Sequence, residues 1–152
     1  MQISIRRAQP EDADILTNLS MRSKQSNGYD DTLMAAFRDE LIITKELLIN
    51  YECWVAESGL VCGFIVLRKE ANNTGEVYAL FVEPEWKRLG IGKLLWHKLQ
   101  DHAKAKGLAS LHLDADPFAV SFYEAMGFKT IGEAPSGSIP GRTLPHMEFI
   151  LG

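Results

Sequence analysis

The sequence predicts a mixed α/β fold, with a central sheet of about seven strands and helices on both faces. Segments of strand period alternate with segments of helical period in the order β-α-α-β-β-β-α-β-α-β-β. The central strands carry apolar side chains on both faces (Trp54, Val55 and Ala56; Phe64, Ile65, Val66 and Leu67), which suits a sheet covered on both sides. The 152 residues are 46% hydrophobic. A chain of that size buries roughly 70% of the surface exposed when unfolded, so it holds a core without metals or disulfide staples.

The first strand covers about residues 2–8. Pro10-Glu11-Asp12 then opens a helix with Ala13, Ile15, Leu16 and Leu19 at helical spacing, and the polar run Ser26-Asn27-Gly28 ends it. A second helix is expected over Asp31 to Leu41, with Leu33, Met34, Phe37 and Leu41 inward, and Thr44 has the position of a cap for a short third helix. Cys53–Glu57 and Leu60–Lys69 read as a hairpin about Ser58-Gly59. The turn-rich Asn72-Asn73-Thr74-Gly75 precedes a strand at Glu76–Val82, which Pro84 stops. The next helix runs from Leu89 or Gly90 to Lys106, with Ile91, Leu94, Leu95, Leu99 and Ala103 on its apolar face, and Gly107 ends it. A strand at Ser110–Ala115 leads to Asp116-Pro117, the pattern of an N-cap followed by proline, and Gly127 supplies the stop of that helix. Lys129–Glu133 and His146–Leu151 are the last two strands. No linker-like stretch divides the chain, so residues 1–152 are expected to form a single domain.

Sixteen basic and 20 acidic residues give a formal charge of −4, which argues against a general nucleic-acid binder. No apolar run approaches the roughly 18 residues of a membrane span, and the first residues lack a secretory signal, so the expected location is cytoplasmic. Simple pairing about Ser58-Gly59 puts Cys53 opposite Phe64 and Cys62 opposite Val55. Such diagonal neighbours stand about 7–8 Å apart, which favours two buried thiols over a disulfide. The four histidines are scattered, and no pair has metal-ligand spacing with a Cys or carboxylate partner, so no metal is expected.

The most informative stretch is Leu80 to Leu95, where a strand runs through Glu83-Pro84 into Lys87-Arg88-Leu89-Gly90-Ile91-Gly92-Lys93 and an amphipathic helix. A helix start offers unpaired N–H groups and the positive end of the helix dipole, and glycines let an anion approach closely. Two familiar phosphate loops fail here. A nucleotide-triphosphate loop needs glycine five residues before the Gly-Lys pair and a hydroxyl after it, where this chain has Lys87 and Leu94. A dinucleotide fingerprint needs a third glycine where Leu95 stands.

Lys87-Arg88-Leu89-Gly90-Ile91-Gly92 resembles the Gln/Arg-x-x-Gly-x-Gly/Ala acyl-coenzyme A loop of the GNAT superfamily of N-acetyltransferases, with lysine at the first position as the one departure. Phe122-Tyr123-Glu124-Ala125-Met126-Gly127-Phe128 resembles the same family's Phe-Tyr-x-x-x-Gly-Phe signature. With the strand order, the resemblance spans nearly all the chain. It implies the GNAT acyl-CoA N-acyltransferase fold and transfer of an acetyl group from acetyl-CoA, as co-substrate, to a primary amine by direct attack in a ternary complex. The loop amides from Arg88 to Lys93 would hold the pyrophosphate, with Lys87, Arg88 and Lys93 available to screen it. The main chain of Leu80 and Val82 would pair with pantetheine in a gap between the strands at 76–82 and 110–115. Tyr123 would assist the departing thiolate. Asp116 stands where many members have asparagine, and no cofactor role is carried to it.

Glu76 lies 11 residues before Lys87 and 14 before Gly90, the spacing at which the histone-modifying branch of the superfamily places a glutamate base. It also directly follows a turn, where glutamate is commonly a solvated charge, and the two readings stand side by side. Tyr78, two residues on, could help to order a relaying water. The family shapes the acceptor site from segments that here are Ser23–Phe37 and Pro135–Pro145, which contain Tyr29, Asp30, Asp31 and Arg142. Paired acids there suit a cationic amine, whether a small molecule or a peptide, and an ordinary solvated loop accounts for them equally well. The sequence leaves open a monomer or a homodimer, and a non-catalytic acyl-CoA binding or sensing domain is the alternative to an enzyme.

Overall fold

A computed structural model describes residues 2–152. Seven strands form one sheet: β1 (Ser4–Arg7), β2 (Glu52–Ser58), β3 (Leu60–Glu70), β4 (Thr74–Val82), β5 (Ser110–Asp114), β6 (Lys129–Pro135) and β7 (Thr143–Ile150). Their spatial order is β1-β2-β3-β4-β5-β7-β6, and β4 and β5 are the parallel pair in an otherwise antiparallel sheet. Among the described residues five α-helices flank the sheet, α1 (Ala13–Gln25), α2 (Asp31–Leu41), α3 (Lys45–Asn50), α4 (Ile91–Ala105) and α5 (Val120–Met126), with short 3-10 turns at Pro10–Asp12, Pro84–Trp86 and Pro117–Ala119. This is the mixed architecture that the alternating periods predict.

Capping explains where the helices begin. Asp30 accepts from the Leu33 amide at 2.9 Å to start α2, and Thr44 accepts from Leu47 at 3.0 Å to start α3. Gly127, at φ 108°, closes α5 in the left-handed region, and a Cβ there would meet the Phe149 ring at 2.9 Å.

The sheet divides the core in two. On one face, Ile91, Leu95, Trp96, Leu99 and Ala103 of α4 pack with Trp54, Ile65, Leu67, Leu111 and Leu113. On the other, Ala13, Leu16 and Leu19 of α1 pack with Val55, Phe64 and Val66. Full burial of such side chains contributes roughly 1.5–3 kcal/mol each. The expected apolar face of α4 needs one exchange. Leu94 is 45% exposed, whereas Trp96 is buried and packs against the tilted ring of Phe128 and edge-on to Phe149, at centroid distances of 5.0 and 5.1 Å. The β2–β3 register also differs from simple pairing. The turn centres on Gly59, with Ser58 facing Leu60, which moves the register by one residue, and a bulge at Cys62 moves it by one more, so that Cys53 faces Val66; both thiols are free and buried.

A second bulge positions the site. Val66 faces Ala79 and Leu67 faces Val77, which leaves Tyr78 as the extra residue in β4. The bulge kinks β4 away from β5. Their parallel pairing covers only Thr74↔Ser110, Gly75↔Leu111 and Glu76↔His112, and past that point a gap separates them.

Candidate active site

The gap opens into a cleft of about 850 Å³, lined by β4 from Glu76 to Val82, the start of α4, the end of β5 and the first turn of α5. Along its β4 edge the Glu83 amide reaches back to the Cys62 carbonyl on β3 at 2.8 Å. Strand alternation then turns the main-chain groups of Leu80 and Val82 the other way, into the gap, where no strand pairs with them.

Gly90, at φ 83°, turns the chain into α4 in a conformation that suits glycine, and the neighbouring Arg88 is also left-handed at φ 68°. The first bond within the helix runs from the Leu94 amide to the Gly90 carbonyl at 3.1 Å, so the amides of Ile91, Gly92 and Lys93 have no intrahelical partner. Gly92 meets a packing requirement as well, because a Cβ on it would stand 3.2 Å from the Phe122 ring. Arg88 and Lys93 are exposed on the rim. Lys87 also lines the cleft, and its ammonium donates to the Ser26 hydroxyl at 2.7 Å, which ties the loop to the end of α1. Burial lowers its pKa, with Asp116 pulling the other way.

Tyr123 packs between Phe122 and Phe128 at centroid distances of 5.3 and 5.4 Å and lines the cleft. Burial, reinforced by the negative charge of Asp116, pushes its phenol well above the ordinary value, and no hydrogen bond within the described residues occupies the hydroxyl. It is therefore a neutral donor with its proton unspent.

Glu76 borders the gap on the face that carries α1. Burial raises its pKa, Arg68 and His112 pull it down, and Glu70 and Asp114 push it up, for a net rise. The Arg68 guanidinium lies 3.0 Å from Glu76 Oε1. Tyr78 meets Tyr51 edge-on beside it, with ring centroids 5.5 Å apart. Nearby, His112 bonds Glu70, and His146 bonds Asp114 at 2.6 Å.

A domain model described as "Acetyltransferase (GNAT) domain" matches residues 21–148. The peptidyl-lysine N-acetyltransferase YjaB of Salmonella typhimurium is 33% identical over 156 residues, covering 99% of each chain. The chain belongs to the GNAT acetyltransferase family. Among solved structures, the PaiA N-acetyltransferase of Thermoplasma acidophilum, in complex with coenzyme A, superposes with a TM-score of 0.82 at 24% identity over 99% of each chain. YncA of Salmonella typhimurium, solved with its cofactor acetyl-CoA, gives 0.71 at 20% identity over 100% of this chain and 95% of that one. The fold of this GNAT enzyme is thus shared along its whole length.

The other wall of the cleft comes from α1, α2 and the β6–β7 loop. Asp116 caps Phe118 at 2.9 Å, and its carboxylate also takes the Lys24 ammonium at 2.6 Å and the Tyr29 hydroxyl at 2.9 Å. Burial opposes its charge, but those bonds keep its pKa below the usual carboxylate range. Arg142 in turn donates to the Tyr29 oxygen at 2.9 Å. Asp30 and Asp31, read from sequence as paired acids, are spent on the α2 cap and on Gln25. Lys24 and Phe37 fall inside the expected segment Ser23–Phe37, but sequence reasoning did not single them out, and the pairing of Lys24 with Asp116, 92 positions away, left no local signal. No described helix is long and apolar enough to cross a membrane.

Proposed function

We propose that this GNAT enzyme moves the acetyl group of acetyl-CoA to a primary amine by direct attack in a ternary complex. The observation that carries the proposal is the gap between β4 and β5. It joins the face of the sheet that holds Tyr123 and the α4 start to the face that holds Glu76 and the Lys24–Arg142 wall. Donor and acceptor can meet in it from opposite sides.

The residues fit the donor chemically. Unpaired amides at a helix start and the flanking Arg88 and Lys93 suit a diphosphate, and the free edge of β4 at Leu80 and Val82 suits the amides of a pantetheine arm. When bound, acetyl-CoA supplies the acetyl thioester. Glu76, ionised, accepts a proton from the attacking ammonium directly or through water ordered by Tyr78, which frees the lone pair that forms the new C–N bond. Tyr123 donates its hydrogen bond to the sulfur as the C–S bond breaks. Full proton transfer is steeply uphill, because a buried phenol is a weaker acid than its ordinary pKa of about 10 implies, against about 8.5 for a thiol. Hydrogen-bond donation is the role that remains.

The relative that acetylates peptidyl lysine favours a lysine side chain as acceptor, and the two free thiols suit a cytoplasmic enzyme. A panel of polyamines, aminoglycosides, amino acids, blocked lysine peptides and peptide N-termini, followed by thiol release, tests the reading. Acetylation of at least one amine supports it. Binding of acetyl-CoA with no transfer to any amine would leave the acyl-CoA sensing alternative.

A further inference from the structure

The wall formed by α1, α2 and the β6–β7 loop holds a charge that nothing yet described explains. Lys24 is almost fully buried, but Asp116 matches its charge at 2.6 Å. Arg142 is half-buried on the same wall and, among the described residues, has no carboxylate partner. Its Nη2 donates to the Tyr29 oxygen, and its Cζ lies 5.3 Å from the Phe37 ring centroid and 5.5 Å from that of Tyr29. Tyr29 is itself fixed, because its own proton goes to Asp116 and its ring meets the edges of Phe37 and Phe118. The guanidinium plane is thus oriented by one hydrogen bond and two aromatic faces, while most of its five N–H donors remain uncommitted. A planar fork so held matches a carboxylate. Glu40 and Glu76, which line the same cleft, offer negative charge to the acceptor's ammonium.

We infer that Arg142 is a specificity residue that binds a carboxylate carried by the acceptor, so that the substrate class is an amine that also bears an acidic group. The inference rests on the acetyltransferase reading above. Two sources share this chemistry: a small amino acid, or an acidic side chain next to a lysine in a peptide.

Two matched acceptor pairs separate the sources. One is 6-aminohexanoate against 6-aminohexanamide, and the other is a blocked lysine peptide with Asp beside the lysine against the same peptide with Asn. The parent enzyme should favour the carboxylate member of at least one pair by roughly 10- to 100-fold in kcat/KM, mostly through KM, as for a hydrogen bond to a charged group. The pair that shows the preference identifies the source. Arg142→Gln should bring the ratio close to one, and Arg142→Lys should keep part of it. Tyr29→Phe removes the tether but leaves the guanidinium, so it should retain a preference even if overall rates fall. A purely structural Arg142 would change both members of a pair alike. Equal rates on both members in the parent, or a preference intact in Arg142→Gln, would overturn the inference and leave the acetyltransferase reading in place. No acetylation of any member while another amine of the wider panel is acetylated would overturn the inference alone, and no acetylation of any amine, with acetyl-CoA bound, would overturn both.

Discussion

Replacing Tyr123 by Phe removes one oxygen from a ring whose packing against Phe122 and Phe128 stays intact. The hydroxyl has no partner within the described residues, so its loss orphans no group, and the change in stability should stay within about 0.5–1 kcal/mol. For a chain of this length that is a shift in Tm of no more than about 4 °C. Catalysis should respond far more. One oriented donor to a developing negative charge is worth roughly 1.5–4 kcal/mol, which converts to about a 10- to 1,000-fold fall in kcat. Burial holds the phenol protonated, so the ratio of parent to variant should be constant from about pH 6 to pH 9. Steady-state thiol release, single-turnover transfer and thermal melts measure the three quantities. An unchanged kcat with chemistry shown to limit turnover would refute the reasoning. So would a large drop in Tm accompanied by lost donor affinity, which would make Tyr123 a packing residue.

Three further perturbations test the surroundings. Glu76→Gln keeps shape but removes basicity, so kcat/KM at neutral pH should fall and recover as pH nears the amine's own pKa; superimposable profiles would remove Glu76 from the mechanism. Arg68 lowers the pKa of Glu76, so Arg68→Gln should raise it and move the acidic limb of the kcat/KM profile to higher pH, and an unmoved limb would show that another group sets it. Gly90→Val forces a β-branched residue to φ 83°, costing roughly 1–3 kcal/mol and misaiming the amides that follow. The rise in Tm that acetyl-CoA causes in the presence of a chelator should shrink or vanish, and a full rise in that variant would show that the loop is not the diphosphate site.

The parts of this site that follow from local chemistry were legible in the sequence. The Gly90–Gly92 turn, the Tyr123 helix and the caps at Thr44 and Asp116 each depend on residues within one turn of each other. The parts set by long-range pairing were not. The bulge at Tyr78, which opens the gap, leaves no mark in the alternation Val77 to Val82, because that strand is apolar on both faces and tolerates a shift of one residue. The same ambiguity hid the bulge at Cys62 and displaced the hairpin register. Leu94 and Trp96 exchanged places because the helix is covered along only part of its circumference, and the aromatic partners of Trp96 are Phe128, in the turn between α5 and β6, and Phe149 on β7, both far along the chain. The acceptor wall was read as acidic from Asp30 and Asp31, yet local helix-terminus bonds consume both. Its unmatched charge is that of Arg142, since Asp116, far from Lys24 in sequence, neutralises Lys24.

The central claim is direct transfer inside one cleft, and the initial-velocity pattern for acetyl-CoA against an amine acceptor tests it most directly when product is counted by mass alongside thiol release. The account predicts intersecting lines in double-reciprocal form, one acetylated amine for each thiol and no acetylated protein when the amine is omitted. Parallel lines together with an acetyl group on the enzyme would contradict it.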